Sequence, residues 1–209
     1  MKQIIIFGAT GGTGKELVEQ ALNSGYKTTA FVRNPDKLLV KSSNLEIRPG
    51  DVLNYTDVKS AIENHKAVYC CLGAPASDKS GLREKGVRNI VKAMEETSTN
   101  RLICQSSLGF ADSREVLPWY MKYIIVPLVL KNAFADHENQ EKVIKESNLN
   151  WTIVRPANLT DGQLTEKYKY GFSNAERIKL KISRADVAHF MLNQLEEKSY
   201  IREKVGISY

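Results

Sequence analysis

The sequence predicts a single-domain α/β fold, a doubly wound and mostly parallel sheet with helices on both faces. Three observations predict it. Short β-branched runs alternate with longer helical patterns, an order that implies parallel strands joined by right-handed crossovers. The opening MKQIIIFGATGGTG runs from a buried-strand pattern through a glycine-rich turn into a helix pattern. The chain has 209 residues, 42% of them hydrophobic, which fills one core and leaves two domains cramped. No internal repeat, low-complexity segment or clean linker divides it. The domain is therefore 1–209, with residues 107–185 supplying most of the substrate side.

The elements follow in order. Residues 3–7 form the first strand and 13–24 the first helix, closed by Gly25. Residues 27–32 form the second strand. A short helix follows Asn34-Pro35-Asp36, with Pro35 at a helix-starting position. Residues 45–48 are the third strand, 56–63 the next helix, and 67–72 the fourth strand, ended by Gly73. After a polar loop at 74–80, Val87, Ile90, Val91 and Met94 recur at helical spacing. The fifth strand is 102–106. Residues 112–131 are irregular, with Pro118, Trp119, Tyr120, Tyr123 and Pro127. Residues 135–147 read as a helix and 151–154 as the sixth strand, ended by Arg155-Pro156. Residues 158–180 read as a loop region with a short strand or two. Ser183-Arg184-Ala185-Asp186 is a capping pattern before a helix bearing Val187, Phe190, Met191 and Leu195. Residues 204–208 read as an edge strand.

The glycine turn carries the first functional inference. Strand, glycine turn and helix form the phosphate-cradling unit of a dinucleotide-binding Rossmann fold. Gly8 turns the chain off the strand, Gly11 admits a pyrophosphate, and Gly14 lets the helix pack on the strand. The helix N-terminus offers free N–H groups and partial positive charge. Gly12, Thr10 and Thr13 complete the candidate phosphate neighbours, and Thr13 also suits a helix cap.

The tip of the second strand selects the dinucleotide. An acid there reads the ribose 2′-hydroxyl of NAD, whereas an arginine accommodates a 2′-phosphate. The sequence is Phe31-Val32-Arg33-Asn34, with no acid before Asp36. A guanidinium forks onto phosphate, so Arg33 points to NADPH. The crevice beyond the strand ends then collects Asp51 and Val52, Leu72 and Gly73, Ser106 and Ser107, and Pro156 and Ala157. For Val52 and Leu72, core packing is nearly as good an account.

Composition narrows the partners. The net charge is +6 and the pI about 9.1, but the charges are scattered, so no nucleic-acid partner is expected. Cys70, Cys71 and Cys104 lie in apolar runs without metal-ligand spacing, so no metal and a reducing, cytoplasmic setting are expected. The N-terminus enters a strand directly, so no signal peptide is expected. The longest apolar stretch, 124–130, is too short to span a bilayer, and no membrane partner is expected.

A ketone reductase needs a proton for the developing alkoxide, supplied in the short-chain dehydrogenases by Tyr with Lys four residues on. Here Tyr120 is followed by Ile124, Tyr123 by Pro127 and Tyr168 by Phe172. The pair is missing. A conjugated acceptor such as a flavin, quinone or linear tetrapyrrole spreads incoming charge over its π system, and needs mainly orientation and a hydrogen bond. Trp119, Tyr120 and Tyr123 offer flat surfaces to such an acceptor, or form a partly buried hydrophobic cluster.

The motifs GATGGTG, Val32-Arg33, Gly50-Asp51-Val52, Leu72-Gly73, GVRNIV at 86–91, Ser107 and KVIKES at 142–147 resemble the atypical short-chain dehydrogenases of the NAD(P)H-binding, NmrA-like group. With DGQLT at 161–165 and HFML at 189–192, the chain most resembles the biliverdin-IXβ reductase/flavin reductase family over nearly its whole length. The resemblance implies NADPH-dependent reduction of flavins and some bilins by a monomer, with a dimer as the alternative. It implies that Ser107 stands beside nicotinamide and substrate, with His137 near the pocket. Gln105 stands where vertebrate members carry cysteine, and the histidine after the sixth strand is replaced near Asn158. The missing Tyr/Lys pair equally fits a non-catalytic regulator that senses NADP(H). A nucleotide-sugar epimerase or dehydratase fits less well, since it needs that pair and a larger substrate domain.

Overall fold

A computed structural model describes residues 2–173 and 176–209. Among these, β1 (Gln3–Phe7), β2 (Lys27–Val32), β3 (Leu45–Pro49), β4 (Ala67–Cys70), β5 (Arg101–Gln105) and β6 (Asn150–Pro156) alternate with α1 (Gly12–Asn23), α2 (Tyr55–Ile62), α3 (Leu82–Glu95) and α4 (Lys131–Glu146). Then come β7 (Asn158–Thr160), β8 (Lys169–Tyr170), β9 (Lys181–Ser183), α5 (Arg184–Asn193) and β10 (Glu203–Ser208). The main sheet among the described residues has eight strands, in the order β3-β2-β1-β4-β5-β6-β10-β8. All its pairings are parallel except β10 with β8.

The continuous apolar run of β1 is explained by cover on both faces. Side chains alternate across a strand. Ile4 and Ile6 therefore enter one core with Leu17 and Val18 of α1 and Val187 and Met191 of α5. Ile5 and Phe7 enter the other with Ile62 of α2, Ile90 and Met94 of α3, and Ile144 of α4. Chain order reverses between β1 and β4, which opens a crevice at their carboxyl ends. The expected single-domain, doubly wound sheet is the one observed.

Several local readings change. The strand expected at 67–72 ends at Cys70; one further ladder bond, from the Cys71 N–H to the Phe7 carbonyl (2.9 Å), precedes its departure from the sheet. β10 is not an edge: it lies between β6, where Glu203 faces Thr152, and β8, where Ile207 faces Tyr170. The loop at 158–180 supplies that outer strand and also β7, which pairs in parallel with β9; residues 174 and 175 of that loop lie outside the described residues. The irregular stretch holds a 3-10 turn, Ala111–Val116, and a π-wound helix, Met121–Leu130, that runs into α4 four residues before the expected start. Trp119, Tyr120 and Tyr123 are not a partly buried cluster; they are 69%, 48% and 70% exposed. The capping pattern before α5 holds: Ser183 Oγ accepts from the Asp186 N–H at 3.0 Å.

Candidate functional site

The site begins at the glycine turn. Gly8 has φ +78°, and a Cβ there would lie 2.6 Å from the Cys71 carbonyl carbon. A Cβ on Gly14 would lie 2.8 Å from the carbonyl carbon of Gly8. Both glycines let backbone meet backbone as β1 hands over to α1. The turn is closed by the Gly11 N–H donating to the Gly8 carbonyl at 2.9 Å. The N-cap Gly11 provides no side-chain cap, and the first turn of α1 has no acid. Its leading N–H groups are thus offered to an external anion. A pyrophosphate fits at these N–H groups, and a side chain on Gly8 or Gly14 would force the turn apart by meeting main-chain atoms.

A cavity of about 600 Å³ opens from the turn and lies across the switch point. That is the usual size for a small-molecule site. It brings together ten of the sequence-selected residues: Gly11, Gly12, Thr13, Leu72, Gly73, Ser106, Ser107, His137, Pro156 and Ala157. Gly8, Thr10, Gly14, Arg33, Asp51 and Val52 do not line it. Arg33 is exposed at the carboxyl end of β2. Asp51 organises its own turn, with Oδ1 accepting from the Leu53 N–H at 3.0 Å. Val52 is buried, its carbonyl accepts from Asn89 Nδ2 at 2.9 Å, and its side chain packs where Gly86 lets α3 approach.

The two serines differ. Ser106 is buried, and its hydroxyl donates to Glu141 Oε1 at 2.8 Å. Arg155 forks onto the same carboxylate, Nε to Oε1 at 2.7 Å and Nη2 to Oε2 at 2.6 Å. Its Nη1 donates to Asp112 Oδ1 at 2.7 Å, and Lys204 Nζ donates to Asp112 Oδ2 at the same distance. This network ties β5, α4, β6, β10 and the 3-10 turn together under the cavity, and it engages the Ser106 hydroxyl. Among the described residues the Ser107 hydroxyl donates only to the Leu108 carbonyl, at 3.2 Å, so a ligand can recruit it at little cost.

His137 projects from α4 into the cavity and stacks on Phe110, centroids 6.2 Å apart. Its Nδ1 is buried without a hydrogen-bond partner among the described residues. Burial, reinforced by the nearby Arg83 charge, pushes its pKa down to about 3. The imidazole is neutral at pH 7, able to hydrogen-bond but not to deliver a proton as imidazolium. Burial likewise pushes the Cys71 thiol well up, keeping it protonated.

Two cationic residues of the cavity escaped sequence reasoning. Arg83 lies in the first turn of α3; its Nη2 donates to the Ala74 carbonyl at 2.9 Å and its Nη1 to Asp136 Oδ2 at 3.2 Å. Asp136 of α4 also accepts the Arg83 and Glu84 N–H groups, at 3.1 and 3.0 Å, and so caps α3 across the core. Arg184 starts α5 and pairs with the exposed Asp161. It lies against the glycine turn: a Cβ on Gly12 would come within 2.6 Å of its Nε. The available signal was the first position of a helix packed beside α1, but only their packing places the two helix starts together.

Comparison with known proteins agrees with this geometry. A family model described as NAD(P)H-binding matches residues 8–198. An uncharacterized chloroplastic protein of Arabidopsis thaliana, At2g34460, is 31% identical over 170 residues, 76% of this chain and 59% of that protein. Reductase pytE of Aspergillus terreus is 26% identical over 99% of this chain and 97% of its own. Among solved structures, a short-chain dehydrogenase/reductase from Veillonella parvula in complex with NADP superposes with TM-score 0.82, at 22% identity, covering 100% of this chain and 94% of that one. ChuY, an anaerobilin reductase from Escherichia coli O157:H7, superposes with TM-score 0.82 at 21% identity, over 99% and 97% of the two chains.

Proposed function

Because the chain belongs to the NAD(P)H-binding family, we propose that it is an NADPH-dependent reductase of a conjugated acceptor, a flavin or a biliverdin-like tetrapyrrole. Bound NADPH supplies the hydride. The observation that carries the reading is the composition of the cavity. It runs from the first-turn N–H groups of α1 to an apolar wall of Leu117, Met121, Leu130 and Phe134. No carboxylate and no tyrosine lines it among the described residues, and its imidazole is neutral. Such walls orient a flat acceptor and exclude water, but they offer no acid for an isolated alkoxide. An acceptor that delocalises the added charge needs none. Ser107 and His137 hold and orient the acceptor by hydrogen bonds. Within 107–185, described residues such as Ser107, Leu117, Phe134, His137 and Leu159 line that side of the pocket. The bilin option is consistent with ChuY being an anaerobilin reductase, and the enzyme reading with pytE being a reductase.

The test is a panel of FMN, FAD, riboflavin, biliverdin and a soluble quinone with NADPH, followed by the loss of NADPH absorbance. Turnover of at least one flavin or bilin is expected. No turnover of any acceptor at high enzyme, with NADP⁺ and NADPH bound equally tightly, returns the regulator reading instead.

Cofactor choice gives a paired prediction. Arg33→Ala weakens NADPH by about 1.5–3 kcal/mol, the worth of a charge-assisted phosphate contact, and leaves NADH little changed. Arg184→Ala, beside the turn that would hold the pyrophosphate common to both, weakens both. Titration calorimetry of the four combinations checks it, and an equal loss of both cofactors in Arg33→Ala removes Arg33 as the 2′-phosphate reader.

A further inference from the structure

The π-wound helix turns its most apolar side to solvent. Leu128 is 80% exposed, Val129 54% and Ile124 44%, and Trp119 and Tyr123 lie beside them, each about 70% exposed. An apolar surface of this kind on a globular domain marks a contact site. The same segment lines the cavity with Leu117, Met121 and Leu130. One side therefore roofs the pocket while the other faces outward.

We propose that this face is a docking surface for an anionic lipid bilayer, seated in the headgroup region and not crossing it. The sequence expectation of no membrane partner rested on spanning alone; among the described residues no helix is long and apolar enough to span a membrane, and the proposed surface seating, which reverses that expectation, needs none. The occupant follows from charge. From 117 to 135 the chain has two lysines, Lys122 and Lys131, and no acid. Arg114 lies over the Tyr123 ring, 5.8 Å from its centroid. Glu115 is the acid at this rim that offsets Lys122, at 2.7 Å; Asp112 is engaged by Arg155 and Lys204. The rim thus keeps a positive excess, on a chain of net charge +6. A second copy pairing by a two-fold axis would set these cations against themselves, whereas an anionic surface complements them. Trp and Tyr beside aliphatic side chains suit the bilayer interface, where a ring is half in hydrocarbon and half in water. Apolar insertion and attraction to anionic headgroups then act together. The consequence for the pocket is access: an acceptor dissolved in the bilayer meets the cavity roof directly. The surface contact itself stands whether the pocket reduces its ligand or only binds it.

The test is co-sedimentation of the whole protein with vesicles of phosphatidylcholine alone or with phosphatidylglycerol added. Binding to the anionic vesicles is expected, falling with salt because surface charge is screened within about 10 Å at 0.1 M. Leu128→Glu with Val129→Glu should reduce that binding by at least about tenfold, and Lys131→Glu should reduce it on anionic vesicles only. Leu128 and Val129 lie outside the cavity lining, so NADPH binding by the double variant reports that it is folded. Absence of wild-type binding to anionic vesicles at low salt overturns the proposal, as does full binding by the folded double variant. A dimer in sedimentation velocity that Leu128→Glu dissociates also overturns it, and assigns the face to a second copy.

Discussion

Glu141→Ala lowers the unfolding free energy by about 3–5 kcal/mol, the cost of stranding a buried charge. The charge is that of Arg155, whose side chain is 4% exposed and whose fork closes on a Glu141 carboxylate only 1% exposed. Removing the carboxylate leaves the Arg155 Nε and Nη2 donors and the Ser106 hydroxyl without their acceptor. Asp112 still holds Nη1, but it is itself shared with Lys204 and lies at the solvent-exposed end of the network. The effect is distinguishable from a simple loss of packing. Glu141→Leu combined with Arg155→Met removes both charges, and a packed apolar pair in place of a buried ion pair is often neutral. The double variant should therefore be clearly more stable than Glu141→Ala. Urea denaturation of the three proteins checks it; a loss below about 1 kcal/mol in Glu141→Ala would mean that water or Asp112 fully compensates Arg155. Because Ser106 and Ser107 are adjacent, the same variant should loosen the cavity floor and weaken acceptor binding.

Much of this molecule is written locally in its sequence. The Ile4–Phe7 run needs cover on both faces, which a parallel sheet with helices on each side provides, and Gly8, Gly11 and Gly14 mark the one turn whose backbone must come close to itself. The cap at Ser183 is equally local. What was hidden depends on neighbours far along the chain. An edge-like pattern at 204–208 gains an outer partner only because Tyr170 reaches Ile207. Ser106 reads as a strand-end hydroxyl facing the cofactor until α4 brings Glu141 to it, 35 residues away in sequence. Arg184 is an ordinary first-turn residue until α5 packs on α1 and sets it beside Gly12. The segment at 121–130 shows no helical period because its apolar residues occur on both sides: Met121 and Leu130 line the cavity, while Ile124, Leu128 and Val129 are exposed. Periodicity reports a polar side set against an apolar one, and this helix has no such contrast.

Gly8→Ala should weaken NADPH by roughly 100-fold, about 2.8 kcal/mol, with a fall in stability beside it. Two effects combine at this position. Its φ of +78° lies in the left-handed region, which a side chain enters at a cost of about 1–2 kcal/mol. Its Cβ would also stand 2.6 Å from the Cys71 carbonyl carbon and 3.0 Å from the Leu72 nitrogen, both main-chain atoms of the neighbouring strand end. Neither can swing aside as a side chain does. The turn has to move, and with it the Gly8 carbonyl that anchors the Gly11 N–H and the start of α1. Two other glycines separate the causes. Gly25 has almost the same dihedral, φ +79°, but open space around its Cβ and no place in the cavity, so Gly25→Ala should cost stability and leave NADPH affinity intact. Gly12 meets only the Arg184 side chain, which can swing aside, so Gly12→Ala should weaken binding by no more than about tenfold. Cofactor titration and thermal melts of the three variants read both quantities. If Gly8→Ala lost stability as Gly25→Ala does but kept its affinity, the turn would not be the phosphate cradle, and the first-turn N–H groups of α1 would have no assigned ligand.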